Sequence, residues 1–575
     1  MFLYKLFQTR WPVRIFIFFS AAALLLAWLL PSHFLPWVTA YQELLTGVAL
    51  VLSLAGLLLA PERCRIPLFA MLCLAIAAVP FLQLAGGLVS YAGDAWLNSI
   101  YIAAFASSLI VGYNLQANAH SASAIDYVSG FAWLLIVGAL VSVGLAFSQW
   151  LGYGDLYWVF PLAEGSRPTA NLAQPNNMAT LLGMALAAVV YLFEKRQLKR
   201  IAAVILTVLI LFGITLSQSR SPWLTAIFIV LFWAWQRRSI EFSLTNVHML
   251  LWLAIYVVMI FCLPLLAELL GTASSSPVER AQQMARLGLY EQFTNAVLQG
   301  PWYGYGWGQG FTAQAAVAMA HPHYAPSYYA HNILLDLLVW NGPILGGALI
   351  IAVAVWLLIL LVRATNLTAT FAWLALSFFI IHSMLEYPHA YLFLLVPAGV
   401  LLGILQASVP TETKKLPLPR WALSLVVLLA AVLVLVVWRD YRLVEKEHQL
   451  IFTEKHDAHV AASEQAVSNV YLLTQMREYI YFVRAPLLAG YTEEQLHDLA
   501  TITGRFPNFF FLLKSAYILT VNGHADQAYQ LLLVLDGLYQ KDRLEQSLTY
   551  LLEKSDEHPD LLQLLEMFDD ELARD

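Results

Sequence analysis

Several side chains that could bind a phosphate lie beside apolar segments of this sequence. Arg220 lies in SQSRSP at the end of one apolar run, and Arg286 lies in a polar segment that also contains Arg280. A guanidinium is planar and makes paired, charge-assisted hydrogen bonds with phosphate oxygens. Because an arginine in hydrocarbon costs about 3 kcal/mol on insertion scales, Arg220 needs a compensating role. The arginines predict an anion site, with snorkelling or salt bridges to nearby glutamates as the alternative.

Three histidines occur in HPHYAPSYYAHN, residues 321–332. His331 precedes an apolar run, where an imidazole can titrate near neutrality and act as a general base, although a structural role would also suit it. His323 is a candidate substrate contact. The histidine spacing fits no standard zinc motif, and no carboxylate lies between residues 292 and 335. We therefore predict no metal site and no cofactor.

Two further polar clusters border apolar runs. NLAQPNNMAT, residues 171–180, contains the four amides Asn171, Gln174, Asn176 and Asn177. Amides bind sugar hydroxyls and phosphate oxygens, but they also cap helices, and Pro175 suits a first helical turn. In MLEYPHAYLF, residues 384–393, an aromatic belt at the membrane interface would explain Tyr387 but not Glu386. Both clusters are candidate substrate contacts.

The composition identifies the elements that must position these groups. The chain has 575 residues, 60% of them hydrophobic and only 12% charged, whereas soluble domains carry about 25% charged residues. This excludes an ordinary soluble protein, and the apolar content excludes a disordered chain. With a net charge of −6, we expect membrane lipids around the chain and no nucleic-acid partner.

Thirteen apolar runs have roughly the length that spans a bilayer. They lie near residues 13–30, 38–60, 67–88, 96–114, 127–151, 175–193, 201–217, 221–236, 247–270, 332–362, 369–386, 389–407 and 421–438. Residues 1–438 carry 19 Lys and Arg, and a cytoplasmic N-terminus would place 15 of them in the cytoplasm. Because cytoplasmic loops are enriched in cations, this orientation is predicted, with the C-terminus outside.

The chain then divides into a transmembrane domain, residues 1–438, and an acidic tail, residues 439–575. The tail has 12 cations and 23 carboxylates, so we predict a solvated helical domain. Residues 511–535 have the pattern of one tetratricopeptide unit, which favours a small accessory domain over a partner-binding array. The outer loop at 271–331 is long enough to be functional, and its residues 277–299 predict a helix ended by Gly300 and Pro301.

The ordered motifs SQSRSPW, GPWYGYGWGQ and HNILLDLLVWNGPIL resemble the O-antigen ligase and polymerase superfamily. NLAQPNN and LEYPHAYLFL narrow the resemblance to bacterial protein O-oligosaccharyltransferases of the PglL type. The resemblance covers roughly residues 10–560. It implies an all-α polytopic, GT-C-like glycosyltransferase with about thirteen transmembrane helices and a periplasmic all-α domain in the inner membrane.

Such enzymes transfer a glycan en bloc from undecaprenyl diphosphate to a serine or threonine of a periplasmic or pilin-like protein, without a metal. The motif histidine corresponds to His331, and the diphosphate-contacting arginines to Arg220 and to Arg286 or Arg280. Gln174 and Tyr387 correspond to the glutamine and tyrosine of the PglL-type motifs, and the resemblance implies that they belong to the catalytic residues together with His331, Arg220 and Arg286. The resemblance implies His331 as general base and the arginines as stabilisers of the leaving diphosphate.

Two other functions fit parts of the sequence. An O-antigen ligase acting on lipid A–core, or an O-antigen polymerase, would use the same chemistry, but those enzymes generally lack a large periplasmic tail. A transporter of polyprenyl-linked glycans would place polar groups at the bilayer midplane and contain internal repeats. The sequence has no visible repeat, and its outward charges collect at one face, so we expect an enzyme.

Overall fold

The computed structural model describes residues 11–118, 126–153, 156–163, 165–272, 285–410, 415–453 and 468–572. Apart from a two-stranded ribbon, the regular structure of these residues is helical. The helices before residue 272 are α1 (Trp11–Leu29), α2 (Ala40–Leu59), α3 (Leu68–Ile76), α4 (Val79–Ala85), α5 (Ala92–Ala117), α6 (Tyr127–Trp150), α7 (Pro175–Glu194), α8 (Arg200–Leu216), α9 (Ser221–Gln236) and α10 (Asn246–Leu270).

The remaining helices belong to the outer loop, the last apolar segments and the tail. They are α11 (Ala285–Gln299), α12 (Gly310–Val317), α13 (Ile333–Val362), α14 (Leu367–Ser383), α15 (Leu392–Ser408), α16 (Arg420–Thr453), α17 (Thr474–Arg484), α18 (Glu493–Arg505), α19 (Phe509–Val521), α20 (Ala525–Leu538), α21 (Lys541–Lys554) and α22 (Leu561–Leu572). A 3₁₀ turn, Pro388–Ala390, separates α14 from α15. Strands β1 (Cys64–Pro67) and β2 (Lys415–Leu418) pair antiparallel, with Cys64 opposite Leu418.

Each of the thirteen apolar runs coincides with helical structure. Within the described residues, nine segments are long and apolar enough to cross a membrane, and α3 and α4 together form one of them. The shorter apolar helices α8, α9, α14 and α15 account for the other four runs. The protein is therefore a multi-pass, all-α membrane protein, as the sequence predicted.

One compact unit consists of the described residues within 1–77, 100–283 and 353–439. Its central helix is α7, which packs against α6, α8 and α14. In the most apolar stretch of α7, 83% of the residues are buried, against 17% in α10. Pro175 occupies the first turn of α7, where its missing N–H costs nothing. The first turns of α7, which carry its polar residues, are therefore packed among neighbouring helices.

The second compact unit consists of the described residues within 78–99, 284–352 and 440–575. Phe311 and Ala318 from the outer loop share a hydrophobic core with Phe482, Leu496 and Phe511 from the tail. Helices α19 and α20 pack as a hairpin whose turn contains Gly523, at φ 85°. The predicted single helix–turn–helix unit is confirmed.

The predicted loop helix is described from residue 285. Helix α11 ends at Gln299, before Gly300 and Pro301, as their helix-breaking character predicts. Residues 277–284, and with them Arg280, lie outside the described residues. Helix α13 follows the outer loop and is interrupted at Gly342, where φ is 72° and ψ is 170°.

Candidate active site

The polar start of α7 is hydrogen-bonded to the turn between α14 and α15. The Gln174 side-chain amide donates to the Tyr387 hydroxyl at 3.0 Å, and the Asn176 amide donates to Glu386 Oε1 at 2.9 Å. Glu386 and Asn176 are buried, whereas Gln174 and Tyr387 are half-buried. The structure therefore joins two of the predicted motifs, and the members that retain exposure are Gln174 and Tyr387.

A third motif joins the same cluster through Ser219. The Ser219 hydroxyl donates to Asn176 Oδ1. The next residue, Arg220, is half-buried and forms the N-cap of α9, with Pro222 in the first turn of that helix. The structure thus brings SQSRSP beside the Asn176–Glu386 pair, and it supplies a cation next to polar groups that can accept or donate hydrogen bonds.

Arg167 is a further candidate that the sequence-based site left out. Its Nη1 donates to the Ser217 carbonyl at 3.4 Å, and the side chain is half-buried. The sequence did contain a signal, because Arg167 is one of only four cations that the predicted orientation leaves outside. The hydrogen bond places a second guanidinium against the segment that carries Arg220.

Two of the four amides support the loop around them. Asn171 is fully buried, donates to the carbonyls of Leu29 at 2.6 Å and Trp158 at 2.8 Å, and accepts from the Phe160 N–H at 2.9 Å. Asn177, also fully buried, donates to the Leu172 carbonyl at 3.1 Å. These bonds account for both residues as supports of the segment that presents Gln174.

His389, in the 3₁₀ turn beside Tyr387, is a neutral neighbour of this cluster. Burial, and to a smaller extent the nearby His382, lower its pKa to about 3.

The second compact unit contains the remaining described candidates. The Tyr290 hydroxyl donates to the His331 carbonyl at 3.2 Å. Arg286 lies four residues before Tyr290 on α11, so both side chains share one face of that helix. Arg286 and His331 are half-buried. The structure therefore associates the predicted arginine and the predicted base on the same side of α11.

His323 packs against the same helix. A Cβ added to Gly288 of α11 would lie 2.6 Å from His323 Nδ1, so the imidazole occupies the space that glycine leaves open. Burial lowers the pKa of His323, while Glu291 acts in the opposite direction. His323 is thus favoured in its neutral form, which can exchange hydrogen bonds with a hydroxyl.

Left-handed backbone conformations coincide with the predicted motifs. Among the described residues, five non-glycine residues have positive φ, and four of them lie in or beside these motifs: Ala170 (51°), Ala173 (63°), Gln218 (49°) and His331 (55°). Such conformations cost energy, persist where surrounding structure enforces them, and cluster at functional sites. The backbone angles therefore indicate the same segments as the side-chain types do.

An apolar cavity of about 640 Å³ lies in the first unit. It extends from Pro222, two residues after Arg220, to Arg200 and His248, which lie in the first turns of α8 and α10. Its walls are mostly apolar side chains, and half of the lining residues are leucine, isoleucine or valine. No cluster of three or more His, Cys, Asp or Glu side chains suited to a metal ion occurs in the described part of the chain.

Known families and proteins match almost the whole chain. Residues 168–193 match the family described as protein glycosylation ligase, 205–351 that described as O-antigen ligase, and 370–550 that described as virulence factor membrane-bound polymerase, C-terminal. The general O-oligosaccharyltransferase of Acinetobacter baylyi is 32% identical over 544 residues, which cover 92% of this chain and 93% of the relative.

This chain belongs to the protein O-oligosaccharyltransferase family. A second member, the ComP-specific O-oligosaccharyltransferase of A. baylyi, is 28% identical over 375 residues, covering 64% of this chain and 67% of that protein. No solved structure matches the chain. The predicted resemblance to PglL-type enzymes and the prediction of an oligosaccharyltransferase are confirmed.

The matched segments of this oligosaccharyltransferase contain all the predicted site residues. The glycosylation-ligase match contains the four amides, the O-antigen ligase match contains Arg220, Arg280, Arg286, His323 and His331, and the third match contains Glu386 and Tyr387. Arg167 lies one residue before the first match.

Proposed function

We propose that this oligosaccharyltransferase takes a glycan en bloc from undecaprenyl diphosphate and transfers it to a serine or threonine hydroxyl of a periplasmic or pilin-like protein. The observation that carries the proposal is the similarity, over nearly the whole length of both chains, to a general O-oligosaccharyltransferase. The apolar cavity beside Pro222 supports a lipid-linked donor, since an isoprenoid tail needs an apolar surface near its diphosphate.

The leaving diphosphate is neutralised by Arg220 and Arg286 in this proposal. As the bond between the anomeric carbon and the diphosphate oxygen breaks, negative charge accumulates on that oxygen. Preorganised guanidinium groups stabilise such charge more strongly in a site that excludes water. Arg280 is the alternative to Arg286, and Arg167 is an additional candidate because it contacts the segment carrying Arg220. Arginines then supply the charge that a metal ion would otherwise provide.

His331 acts as the general base. It accepts the proton of the acceptor hydroxyl while the hydroxyl oxygen bonds to the anomeric carbon, and the lipid diphosphate departs from the opposite face. A single displacement of this kind inverts the anomeric centre. General bases contribute about 10²–10⁴-fold to rate. The left-handed backbone of His331 and the Tyr290 hydrogen bond to its carbonyl support a fixed position for this side chain.

Gln174 and Tyr387 position the diphosphate or the first sugar. Asn176 and Glu386, which bond to each other, tie the segment of Gln174 to the segment of Tyr387, while Asn171 and Asn177 support the loop. His323 forms a hydrogen bond with the acceptor or the glycan, using the neutral imidazole that its lowered pKa favours.

The enzyme lies in the bacterial inner membrane with its N-terminus in the cytoplasm and its site facing the periplasm. The distribution of cations supports this orientation, because 15 of 19 then fall in the cytoplasm. Residues 1–438, with the loop at 271–331, form the transmembrane catalytic domain, and residues 439–575 form the periplasmic domain.

The proposal is tested by purifying the enzyme and measuring transfer from undecaprenyl-diphosphate glycan to an acceptor protein. His331→Ala is expected to lower the transfer rate by about 10²-fold or more. His321→Ala, a half-buried histidine of the same loop, is the matched control and should retain transfer. His331→Gly separates backbone strain from chemistry: glycine accepts φ 55° more easily, so it should be more stable than His331→Ala but equally inactive. Retained transfer in both His331 variants would overturn the role of the base.

A lipid acceptor is the second candidate, because two of the matched families are described as O-antigen ligase and as polymerase. Mass spectrometry of periplasmic and pilin-like proteins from a deletion strain separates the two. Loss of a glycan linked to serine or threonine, with lipopolysaccharide unchanged, supports the protein acceptor. Altered lipopolysaccharide with unchanged protein glycosylation would favour the lipid acceptor.

A further inference from the structure

Among the described histidines, only His331 has a left-handed backbone, with φ 55°. A residue with a Cβ adopts this conformation at a cost in energy, so surrounding contacts must enforce it. The backbone angles of a residue set the direction of its Cα–Cβ bond. The groups that hold the backbone on each side of His331 therefore decide where its imidazole points.

Asp336 holds the backbone that leads into His331. Its Oδ1 accepts a hydrogen bond from the Ala330 N–H at 2.7 Å, and both residues are fully buried. Asp336 is the one charged residue of the apolar sequence ILLDLLVW, residues 333–340, at the start of α13. Ionisable side chains in membrane helices are costly and are retained mainly where they serve a function.

Capping of α13 does not account for this carboxylate. Asn332 directly precedes the helix, and its Oδ1 accepts from the N–H groups of Leu334 at 3.0 Å and Leu335 at 3.4 Å. These bonds satisfy N–H groups that the start of a helix leaves free. The Asp336 carboxylate instead bonds to Ala330, which lies outside the helix. Its hydrogen bond therefore acts on the segment that enters the helix.

Tyr290 of α11 holds the backbone on the other side of His331. Its hydroxyl donates to the His331 carbonyl at 3.2 Å, and the tyrosine is half-buried. The backbone on the two sides of the histidine is thus bonded to side chains from two different helices, α13 and α11. Contacts on both sides restrict the rotation of this residue more than either contact alone.

We propose that Asp336 is a positioning residue that, together with Tyr290, holds His331 so that its imidazole faces the acceptor hydroxyl. Neither side chain touches the reacting atoms, and each acts through the backbone that carries the base. A displacement of about 1 Å in a reacting group can lower a rate by about 10²-fold, so the loss should appear in kcat. The inference rests on the proposed function, in which His331 is the general base.

Substitutions of Asp336 separate the acceptor from the bulk of the side chain. Asp336→Asn keeps an Oδ1 that can accept from the Ala330 N–H, so its kcat should stay within about threefold of the wild type. Asp336→Leu has a similar size but no acceptor, and its kcat should fall about tenfold or more while the KM for the lipid-linked donor changes less than about twofold. Asp336→Ala removes the acceptor without adding bulk and is used if Asp336→Leu does not fold.

Tyr290→Phe tests the second contact and removes only a half-buried hydroxyl. Its kcat should fall about fivefold, as expected for the loss of one hydrogen bond, with an unchanged melting temperature in detergent. Tyr324→Phe, at an exposed tyrosine of the loop that contains His331, is the matched control and should transfer normally.

The His331→Ala background distinguishes positioning from a general structural role. No imidazole remains to be aimed there, so adding Asp336→Leu or Tyr290→Phe should change the residual rate by less than about twofold. Losses that multiply in this background would overturn the inference. So would a raised KM with unchanged kcat, an Asp336→Asn variant as slow as Asp336→Leu, or wild-type transfer by both Asp336→Leu and Tyr290→Phe. Retained transfer by His331→Ala would instead overturn the base itself, so the two failures are distinguishable.

Discussion

Gln174 and Tyr387 form a hydrogen bond although 213 positions separate them in the chain. Asn176 bonds to both Glu386 and Ser219 and so connects three motifs that are distant in sequence. Gln174 and Tyr387 are half-buried and so can reach a substrate, whereas Asn176 and Glu386 are buried. We therefore expect Gln174 and Tyr387 to act on the substrate together, and their coupling can be measured.

A double-mutant cycle tests this pair. Gln174→Ala and Tyr387→Phe should each lower kcat/KM about fivefold or more, since one hydrogen bond contributes about 1 kcal/mol. The double variant should be scarcely worse than either single variant, because each change already breaks the shared bond. Tyr153→Phe, at an exposed tyrosine of the same compact unit, is the control and should transfer normally. Fully additive losses would mean that the two residues act separately.

At the scale of elements, the glycine-rich segment after α11 is shaped by the broken helix α13. The Tyr305 N–H donates to the Val339 carbonyl at 2.9 Å, and the Gly306 N–H donates to the Trp340 carbonyl at 3.1 Å. The Gln83 side chain also binds this segment, since its Oε1 accepts from the Trp307 N–H at 2.8 Å. The break at Gly342 leaves room for the segment to approach the helix backbone.

Gly342→Ala should distort this contact. The φ and ψ angles of Gly342 belong to a region that is essentially restricted to glycine, and an added Cβ would lie 1.9 Å from the Trp302 carbonyl oxygen. Strain and overpacking together should cost about 2 kcal/mol or more. The melting temperature in detergent and the transfer rate should both fall.

Gly347→Ala is the matched control on the same helix. A Cβ at Gly347 meets no heavy atom within 4 Å, so this variant should retain both the melting temperature and transfer. If the two alanine variants behave alike, the break at Gly342 does not shape the segment.

At the scale of the molecule, the outer loop and the tail belong to one folded unit. A buried ion pair joins the start of α5 to α18 in that unit: Arg505 donates to both carboxylate oxygens of Asp94, at 2.7 and 2.8 Å. The two side chains are 11% and 4% exposed. The loop that carries Arg286 and His331 also shares a hydrophobic core with the tail, so we expect a loss of packing in the tail to lower transfer.

Arg505→Met should destabilise this unit by about 3–5 kcal/mol, because it leaves the Asp94 carboxylate buried without its partner. Limited proteolysis and thermal unfolding in detergent measure the effect, and transfer should fall with it. Adding Asp94→Leu should restore much of the stability, since apolar replacement of a buried pair is often neutral. Arg543→Met, at an exposed arginine, should change little. If Arg505→Met unfolds at the same temperature as the wild type, the ion pair does not stabilise the unit.

The membrane helices and the helical hairpin of the tail were predictable because their signals are local. Thirteen apolar runs of suitable length became helical segments, and Gly300 with Pro301 ended α11. Proline, glycine and apolar periodicity act over a few residues and hardly depend on the rest of the fold. The residue types of the candidate site were also readable, since arginines, amides and a histidine beside apolar runs are unusual.

The sequence by itself determined a multi-pass helical protein, its family and the motifs that contain the candidate site residues. Only the tertiary structure decided which amides support a loop, as Asn171 does, and which stay accessible, as Gln174 does. It also showed that Arg167 bonds to the Ser217 carbonyl and that Asp94 pairs with Arg505 across 411 positions. The physical reason is that these contacts depend on how helices pack, and packing distant in sequence leaves no local pattern to read.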